Sequence, residues 1–412
     1  MNSISLKRAV SRASQVALIA AAFIFFSWHS VFAQSYKKIH KRAIVVDTHN
    51  DILTECFEKN VSFDQDLKDK TQSDLARFKK AGIDVQVFSI WCDGKKQDPF
   101  NYAIAQIDTL YATAARHPGK IAIVTNITQL HRAIKEKKLA AMIGVEGGHM
   151  IEDDLGKLDS LFRLGVRYMT LTWNNSTPWA TSAMEETHDS LLHQPKGLSD
   201  FGKQIIHRMN ALGMLVDLSH VGEKTFWDAV ATTTKPVLVS HSCAYALCPV
   251  YRNLKDNQIK AVGQNGGVID INFYSAFLDS NYDSRERAFL EKHKTERDSL
   301  FEIYPEKETA IELLNKKYAD EYNAVRPPLS SIIDHVDYMV RLIGVDHVGI
   351  GSDFDGVSNC TPQHVEDITG FPQITKALLK RGYSKEDVYK ILGGNFLRIL
   401  QANEKEGTVT QD

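Results

Sequence analysis

The chain has 412 residues, 49 of them basic and 51 acidic, and 43% of its residues are hydrophobic. This nearly neutral, slightly acidic balance excludes the basic footprint of a nucleic-acid-binding protein. Five cysteines (Cys56, Cys92, Cys243, Cys248, Cys360), an odd number without a CxxC spacing, exclude a fold built on a disulfide framework, and only Cys243 and Cys248 are placed to pair locally.

The first segment reads as a cleavable secretory signal. Lys7, Arg8 and Arg12 precede an apolar stretch from Val16 to Trp28, and Val31-Phe32-Ala33 brings a small residue to the cleavage position before Gln34. The stretch is short for a membrane span, and no cysteine follows it to carry a lipid, so no stable membrane anchor is expected after cleavage. Removing residues 1–33 takes away three basic residues and no acidic ones, which leaves 379 residues with 46 basic and 51 acidic. The expectation is an exported protein, periplasmic or secreted, with residues 34–412 as a single domain.

Eight short β-rich apolar runs follow, each trailed by polar residues and a helical pattern: Ala43 to Thr48, Val85 to Trp91, Ala140 to Val145, Tyr168 to Trp173, Met214 to Ser219, Pro236 to Ser240, Gly267 to Phe273 and His347 to Ser352. Runs that are apolar throughout suit parallel strands covered on both faces. Amphipathic stretches lie between them, such as "SDLARFKKAG" (73–82), "LDSLFRLG" (158–165) and "FGKQIIHRMNALG" (201–213), each closed by a glycine where a helix C-cap belongs. Eight strand-helix units predict an α/β fold, a (β/α)8 TIM-type barrel of the metal-dependent hydrolase kind. A doubly wound sheet is the alternative, and no glycine-rich phosphate loop supports it. Between the seventh and eighth runs, Asp279 to Arg326 holds 12 acidic and 9 basic residues in 48, nearly twice the average charge density. It reads as a charged helical insertion, with a lid or a dimer contact as the alternative role.

Residues at the C-terminal ends of barrel strands converge on one pocket. His49 and Asp51 follow the first run in "VDTHNDIL", with Asp47 just ahead; Glu146 follows the third in "GVEGGH"; His220 follows the fifth in "DLSHV"; His241 follows the sixth in "VLVSHS"; Asp353 and Asp355 follow the eighth in "GIGSDFDG". A single histidine beside an apolar run is more often a hydrogen-bonded structural residue, and Asp51 or Asp355 alone could merely cap a helix. Capping does not require that all of them share one rim, whereas a metal centre does, and histidine nitrogens with carboxylate oxygens suit zinc. The set exceeds the three ligands one catalytic zinc needs. Two ions bridged by Glu146 would use the surplus, with His49 and Asp51 on one and His220 and His241 on the other. A water between them would become a hydroxide nucleophile, and Asp353 would take its proton and hand it to the leaving amine.

With these residues in place, the chain resembles the membrane dipeptidase family, also called renal dipeptidase, as a bacterial exported member. The motifs that carry the resemblance are "DTHND", "GVEGGH", "RYMTLT", "NSTPWA", "GLSDFG", "DLSHV", "SHSCAY", "YRN", "NFY" and "GSDFDG", in that order along most of the chain. The resemblance implies a barrel with two Zn2+ ions, one on His49, Asp51 and Glu146 and one on Glu146, His220 and His241. It implies hydrolysis of dipeptides, including those with a C-terminal D-residue, with Asp353 as the acid-base group and Arg252 gripping the substrate carboxylate. It adds a homodimer as the expected assembly.

The chain also departs from that pattern. Trp173 stands where the vertebrate members place a histidine that contacts the substrate carbonyl, which leaves the indole N–H, His149 or Asn174 as substitutes. Cys92 and Cys248 match single halves of the two vertebrate disulfides, the charged insertion is longer, and no hydrophobic tail follows Leu400. Two other functions compete: a related amidohydrolase acting on N-acyl amino acids, lactams or esters, which the barrel and metals alone do not distinguish, and a binding protein that has lost turnover, against which the complete ligand set argues.

Overall fold

The computed structural model describes residues 36–188, 197–304, 307–357 and 359–404; the signal segment expected at 1–33 lies outside them. Nine parallel strands form one sheet: β1 (Val46–Asp47), β2 (Val85–Trp91), β3 (Ile121–Ile123), β4 (Leu139–Glu146), β5 (Val166–Thr170), β6 (Leu215–Asp217), β7 (Leu238–Ser242), β8 (Val268–Ile271) and β9 (Val348–Ile350). Eight of them run in the order β1-β2-β4-β5-β6-β7-β8-β9. The ends of that path meet through the parallel bridge Asn50–Phe354 and through Thr48 N–H to Ile350 O at 3.3 Å. Asp47 tightens the closure by accepting from Ser352 N–H at 2.8 Å and Ser352 Oγ–H at 2.7 Å. The fold is therefore a nearly closed (β/α)8 barrel.

Every one of the eight apolar runs carries a strand, with ends shifted by a few residues. His241 falls inside β7 rather than beyond it, and Trp173 lies in the loop after β5. The unanticipated β3 pairs only with β4, at Leu139 to Ala141, below the point where β5 takes over the same edge at Ile143. Three residues that follow the 18-residue helix Pro99–Arg116 after a short turn are too short a run to register as a strand. The helices end as their glycines require. Leu75–Ala81 starts on an Asp74 side chain that accepts from Arg77 N–H and stops at Gly82, whose φ of +76° is the left-handed C-cap conformation; Asp200–Leu212 does the same between Ser199 and Gly213.

Strand alternation divides the core. One face of the strands packs on the helices, through residues such as Phe88, Ile90, Val145, Val239 and Ile269. The other fills the lumen, apolar at the N-terminal end with Val46, Val85, Met142, Leu238 and Val268, and polar toward the C-terminal end with Ser89, Thr170, Asp217, Ser240 and Asp270, all fully buried. Two glycines open that polar layer. A Cβ on Gly144 would lie 2.1 Å from Tyr168 Cζ, and one on Gly349 would lie 2.0 Å from Asp270 Oδ1.

All five cysteines are free thiols, and Cys243 and Cys248 donate separately to Asn272 O and Ala276 O instead of pairing. The charged insertion is helical: Tyr282–Lys292, Lys294–Ile303, Lys307–Lys317 and Ala319–Val325 gather a small core of Tyr282, Phe289, Leu314 and Tyr322. Its surface is knitted by ion pairs such as Lys292–Glu321 at 2.7 Å, and Arg326 ties it to Glu366 at 2.8 Å. Its later helices wall a cavity of about 350 Å³ beside the helix Ile52–Glu58.

Asp270 offers a test of the buried polar layer. Burial pushes its carboxyl well above the ordinary carboxylate range, Thr48 offsets part of this, and the Asp217 and Asp47 charges add to it. The fold thus favours the neutral acid, so stability is lost as pH rises above the unfolded value of about 3.9 toward the folded one. Asp270→Asn should gain in thermal midpoint relative to wild type as pH goes from 5 to 9; a difference independent of pH would refute this account.

Candidate metal centre

The loop after β1 and the loop after β9 are built against each other. Asp353 N–H donates to His49 O at 3.1 Å and Asp51 N–H to Phe354 O at 2.9 Å, so the hydrogen bonds that close the barrel also place three acidic or imidazole side chains at its mouth. Gly356 is required there, because a Cβ would meet Asp51 Oδ2 at 2.3 Å and Asp353 Oδ1 at 2.6 Å. His220, Asp353 and Asp355 all sit in the left-handed region, with φ of 64°, 62° and 67°, a strained backbone at the site.

Glu146, the last residue of β4, divides its carboxylate between two groups. Its Oε2 lies 3.2 Å from His49 Nε2, and that nitrogen is 3.4 Å from Asp51 Oδ2 and 3.8 Å from Asp353 Oδ1. Its Oε1 lies 2.9 Å from His220 Nε2 and 3.5 Å from His241 Nε2, with the two nitrogens 3.0 Å apart. Ligand atoms of His49, Glu146 and His241, and again of His49, Asp51 and Asp353, fall within 4.8 Å of one another.

The outer nitrogens of the three rings decide what faces Glu146. His49 Nδ1 is 2.8 Å from Tyr168 Oη, whose own proton goes to Thr48 O at 3.1 Å, so Nδ1 is the donor. His220 Nδ1 is 3.1 Å from Asn174 Oδ1, an acceptor only. His241 Nδ1 is 2.8 Å from Ser240 Oγ, which donates to Asp217 Oδ2 at 2.7 Å. Each neutral ring therefore turns an Nε2 lone pair toward a carboxylate. Lone pairs at 3 Å repel unless a proton or a cation lies between them, and the outer hydrogen bond on each ring is the arrangement that metal-ligating histidines use. His49 Nε2 and Asp51 Oδ1 are buried without a hydrogen-bond partner. The donor set fits divalent metal ions.

The proton affinities follow the same imbalance. Burial works against charge on His49, yet Tyr168, Asp51 and Glu146 hold it well above the ordinary histidine value. Burial, reinforced by the Arg252 charge, takes His220 down to about 4, and burial with the His49 charge takes His241 well below the usual range. Glu146 is held well below its ordinary value because the histidine contacts outweigh the burial that would raise it. Asp353 is raised well above the carboxylate range, first by burial and then by Asp51 and Glu146, while His49 and the Asn272 amide, 2.8 Å from its Oδ2, pull the other way.

The remaining anticipated residues separate into near and far. Arg252 is buried, donates from Nη2 to His241 O at 3.0 Å, lies 5.3 Å over the Phe277 ring, and has a buried Nε without a partner. It shares with His220 a cleft of about 590 Å³. Trp173 packs edge-on against Trp91 at 4.9 Å and stands 6.5 Å from the His220 ring. Of the two other residues that could replace the vertebrate histidine, His149 points Nε2 at Cys92 O, 3.2 Å away, and its buried Nδ1 has no partner, so it offers the pocket no N–H; Asn174 commits its carbonyl to His220. Asp47 and Asp355 do not join the centre. Asp47 closes the barrel, and Asp355 accepts from Gln72 N–H at 2.5 Å and from Ser73 Oγ–H, which fixes the adjacent loop instead of capping a helix. Sequence reasoning missed Tyr168, Asp217, Ser240 and Asn272; a charged Asp217 inside an apolar run was the one visible signal.

Comparison with known proteins agrees with this architecture. The model of the membrane dipeptidase family (Peptidase family M19) matches residues 33–412. Dipeptidase 3 of Mus musculus is 30% identical over 368 residues, which are 88% of this chain and 64% of the relative, so the chain spans just under two thirds of that protein's length. Among solved structures, the probable dipeptidase PvdM from Pseudomonas aeruginosa superposes with a TM-score of 0.74 at 24% identity, covering 91% of this chain and 98% of that one. A metallo peptidase from Rhodobacter sphaeroides, liganded with a phosphinate mimic of the dipeptide L-Ala-D-Ala, gives 0.69 at 21% identity and covers 88% and 100%. These two show the same fold, and with the family match over nearly its whole length the chain belongs to the membrane dipeptidase family.

Proposed function

We propose that the protein is an exported metallo-dipeptidase that hydrolyses the single peptide bond of dipeptides. The observation that carries the reading is the Glu146 carboxylate split between three imidazole lone pairs at the barrel mouth. Two divalent ions, zinc by ligand type, would be held by His49, Asp51 and Glu146 and by Glu146, His220 and His241. When bound, such ions polarise a peptide carbonyl and acidify water toward neutral pH.

The chain's own groups do the rest. Tyr168, Asn174 and Ser240 hold the three imidazoles in orientation. Arg252, buried beside His241, pairs with the substrate's free carboxylate and sets which bond lies over the centre. Asp353, positioned by Asn272 on one oxygen, takes the proton of the attacking water on the other and delivers it to the departing amine. The mimic of L-Ala-D-Ala held by the Rhodobacter sphaeroides relative supports acceptance of a C-terminal D-residue. The basic, apolar and small-residue pattern over residues 7–33 supports export to the periplasm.

A second reading, hydrolysis of N-acyl amino acids, lactams or esters, rests on Trp173. The wall that carries it presents no histidine N–H, and loss of an oxyanion donor costs about 10²–10³ in turnover. Release of ninhydrin-positive product from L,L and L,D dipeptides, set beside their N-acetyl forms, separates the two. Cleavage of the free dipeptides alone supports the dipeptidase, and cleavage confined to acylated substrates supports the alternative.

Two sets of variants test the assigned roles. Asp353→Asn should lower kcat by about 10²–10⁴ with metal content unchanged, whereas Arg252→Lys should act mainly on KM, since a point charge replaces a two-pronged one. Tyr168→Phe and Ser240→Ala should each weaken metal retention by roughly 10- to 100-fold in competition with a chelator. Retention equal to wild type in both would remove the orienting role.

A further inference from the structure

Large apolar side chains are exposed at few places on this molecule. Among the described residues they are Tyr111, Met184, Tyr245, Leu247, Tyr251, Ile303 and Leu313. Two of these seven line one cleft, and two more stand on the segments that border it. Tyr245 and Tyr251, each 37% exposed, line the cleft that holds Arg252 and His220; Leu247 lies between them in the same loop after β7, and Met184 is on the short helix Ala183–His188, whose two end residues line the opposite side. His188 meets the Tyr251 ring edge-on at 5.1 Å, so the two sides of the mouth touch through an aromatic contact. An exposed apolar cluster around a concave site marks where a ligand is bound rather than a random surface.

The inner end of the same cleft is charged. Arg252 is 5% exposed, its Nε has no partner, and its guanidinium lies 5.3 Å over Phe277. A substrate carboxylate seated there leaves the side chain of the same residue to run outward between Tyr245 and Tyr251. The cleft, about 590 Å³, is of the size that encloses a drug-sized ligand and far exceeds what two small residues fill.

We propose that this cleft selects dipeptides whose C-terminal residue is large and aromatic. The inference rests on the dipeptidase reading and on Arg252 as the carboxylate anchor. Aromatic rings prefer edge-to-face partners such as Tyr245 and Tyr251, and they bury much area with few rotors to freeze. A C-terminal alanine reaches neither ring.

The test is kcat/KM of the zinc-loaded protein for Ala-Phe and Ala-Trp against Ala-Ala, in L,L and L,D forms, for wild type, Tyr245→Ser and Tyr251→Ser. The expected wild-type ratio is on the order of tenfold or more in favour of the aromatic substrates, and it should fall toward one in both variants whatever happens to the absolute rates. Light scattering of the three proteins accompanies the kinetics. Cleavage of all substrates at similar efficiency, or a ratio that neither variant changes, overturns the preference and leaves the dipeptidase reading intact. A dimer that the variants dissociate, with the ratio unchanged, assigns the mouth to contact between copies and likewise overturns it. Failure to cleave any dipeptide overturns the dipeptidase reading itself, and the preference with it.

Discussion

Three imidazole nitrogens and the two oxygens of Glu146 are forced together at the buried mouth of the barrel, and the rest of the architecture serves that crowding. Removing these groups from solvent costs free energy that only charge neutralisation repays. The fold holds them by spending hydrogen bonds on the outer edges of the rings. Tyr168 reaches His49 across the lumen because Gly144 leaves its ring room. Asp217 acts on His241 through Ser240, a buried charge delivered at one remove. Asn174 gives His220 only a neutral amide. The three rings are therefore held by partners of unequal strength, and the carboxylate relay serves His241.

Barrel closure and site assembly are one event. The contacts that join β1 and its loop to β9 and its loop are a bridge at Asn50 and Phe354, three backbone hydrogen bonds, the Thr48 and Ser352 hydroxyls on backbone carbonyls, and the Asp47 carboxylate on Ser352. His49, Asp51 and Asp353 stand on these loops. A barrel open at this seam would keep most of its apolar core, since the lower lumen and the helix contacts lie elsewhere, but it would lose half of the centre. This explains why Asp47, on a strand of two residues, is a buried carboxylate where an apolar residue would pack as well. Its two bonds to Ser352 hold a register that so short a strand cannot hold by its ladder alone.

Much of this was legible in the sequence, because a parallel barrel writes its strands as unbroken apolar runs and its functional groups immediately after them. All eight runs became strands, and the six side chains that converge were each named from their position beside a run. The limits have physical causes. Asp47 and Asp355 carry the same signal as the converging residues, a carboxylate near a strand end, yet they bind backbone amides and hydroxyls of neighbouring loops; spacing cannot distinguish a carboxylate that meets a loop from one that joins the cluster. Tyr168 and Asn272 act on a residue from a different strand, so their role depends on a closed barrel and has no local trace, while Ser240 adjoins His241 in β7 but is itself tied to Asp217 of β6. The strand Ile121–Ile123 escaped because three residues on a strand edge need no period of their own.

The two walls of the pocket differ in what they can do, and under the proposed function this sets the direction in which a substrate would lie. On the side of β2 and β5, Trp173 packs edge-on against Trp91, whose buried indole N–H has no partner, and His149 has spent its N–H on Cys92 O, so this wall offers bulk, π-surface and no imidazole donor. On the side of the loop after β7, Arg252 offers a buried cation beside His241. A dipeptide zwitterion has one carboxylate, and among the described residues the buried Arg252 of the second wall is placed to neutralise it. Its scissile carbonyl must then lie over Glu146 and the histidines, with its amino-terminal residue toward the tryptophans. A family member that kept a histidine in place of Trp173 could grip that carbonyl from the first wall. Under the proposed function this chain would depend on a metal centre and on orientation from Arg252, which would place more of the burden of catalysis on how tightly the carboxyl-terminal half is held.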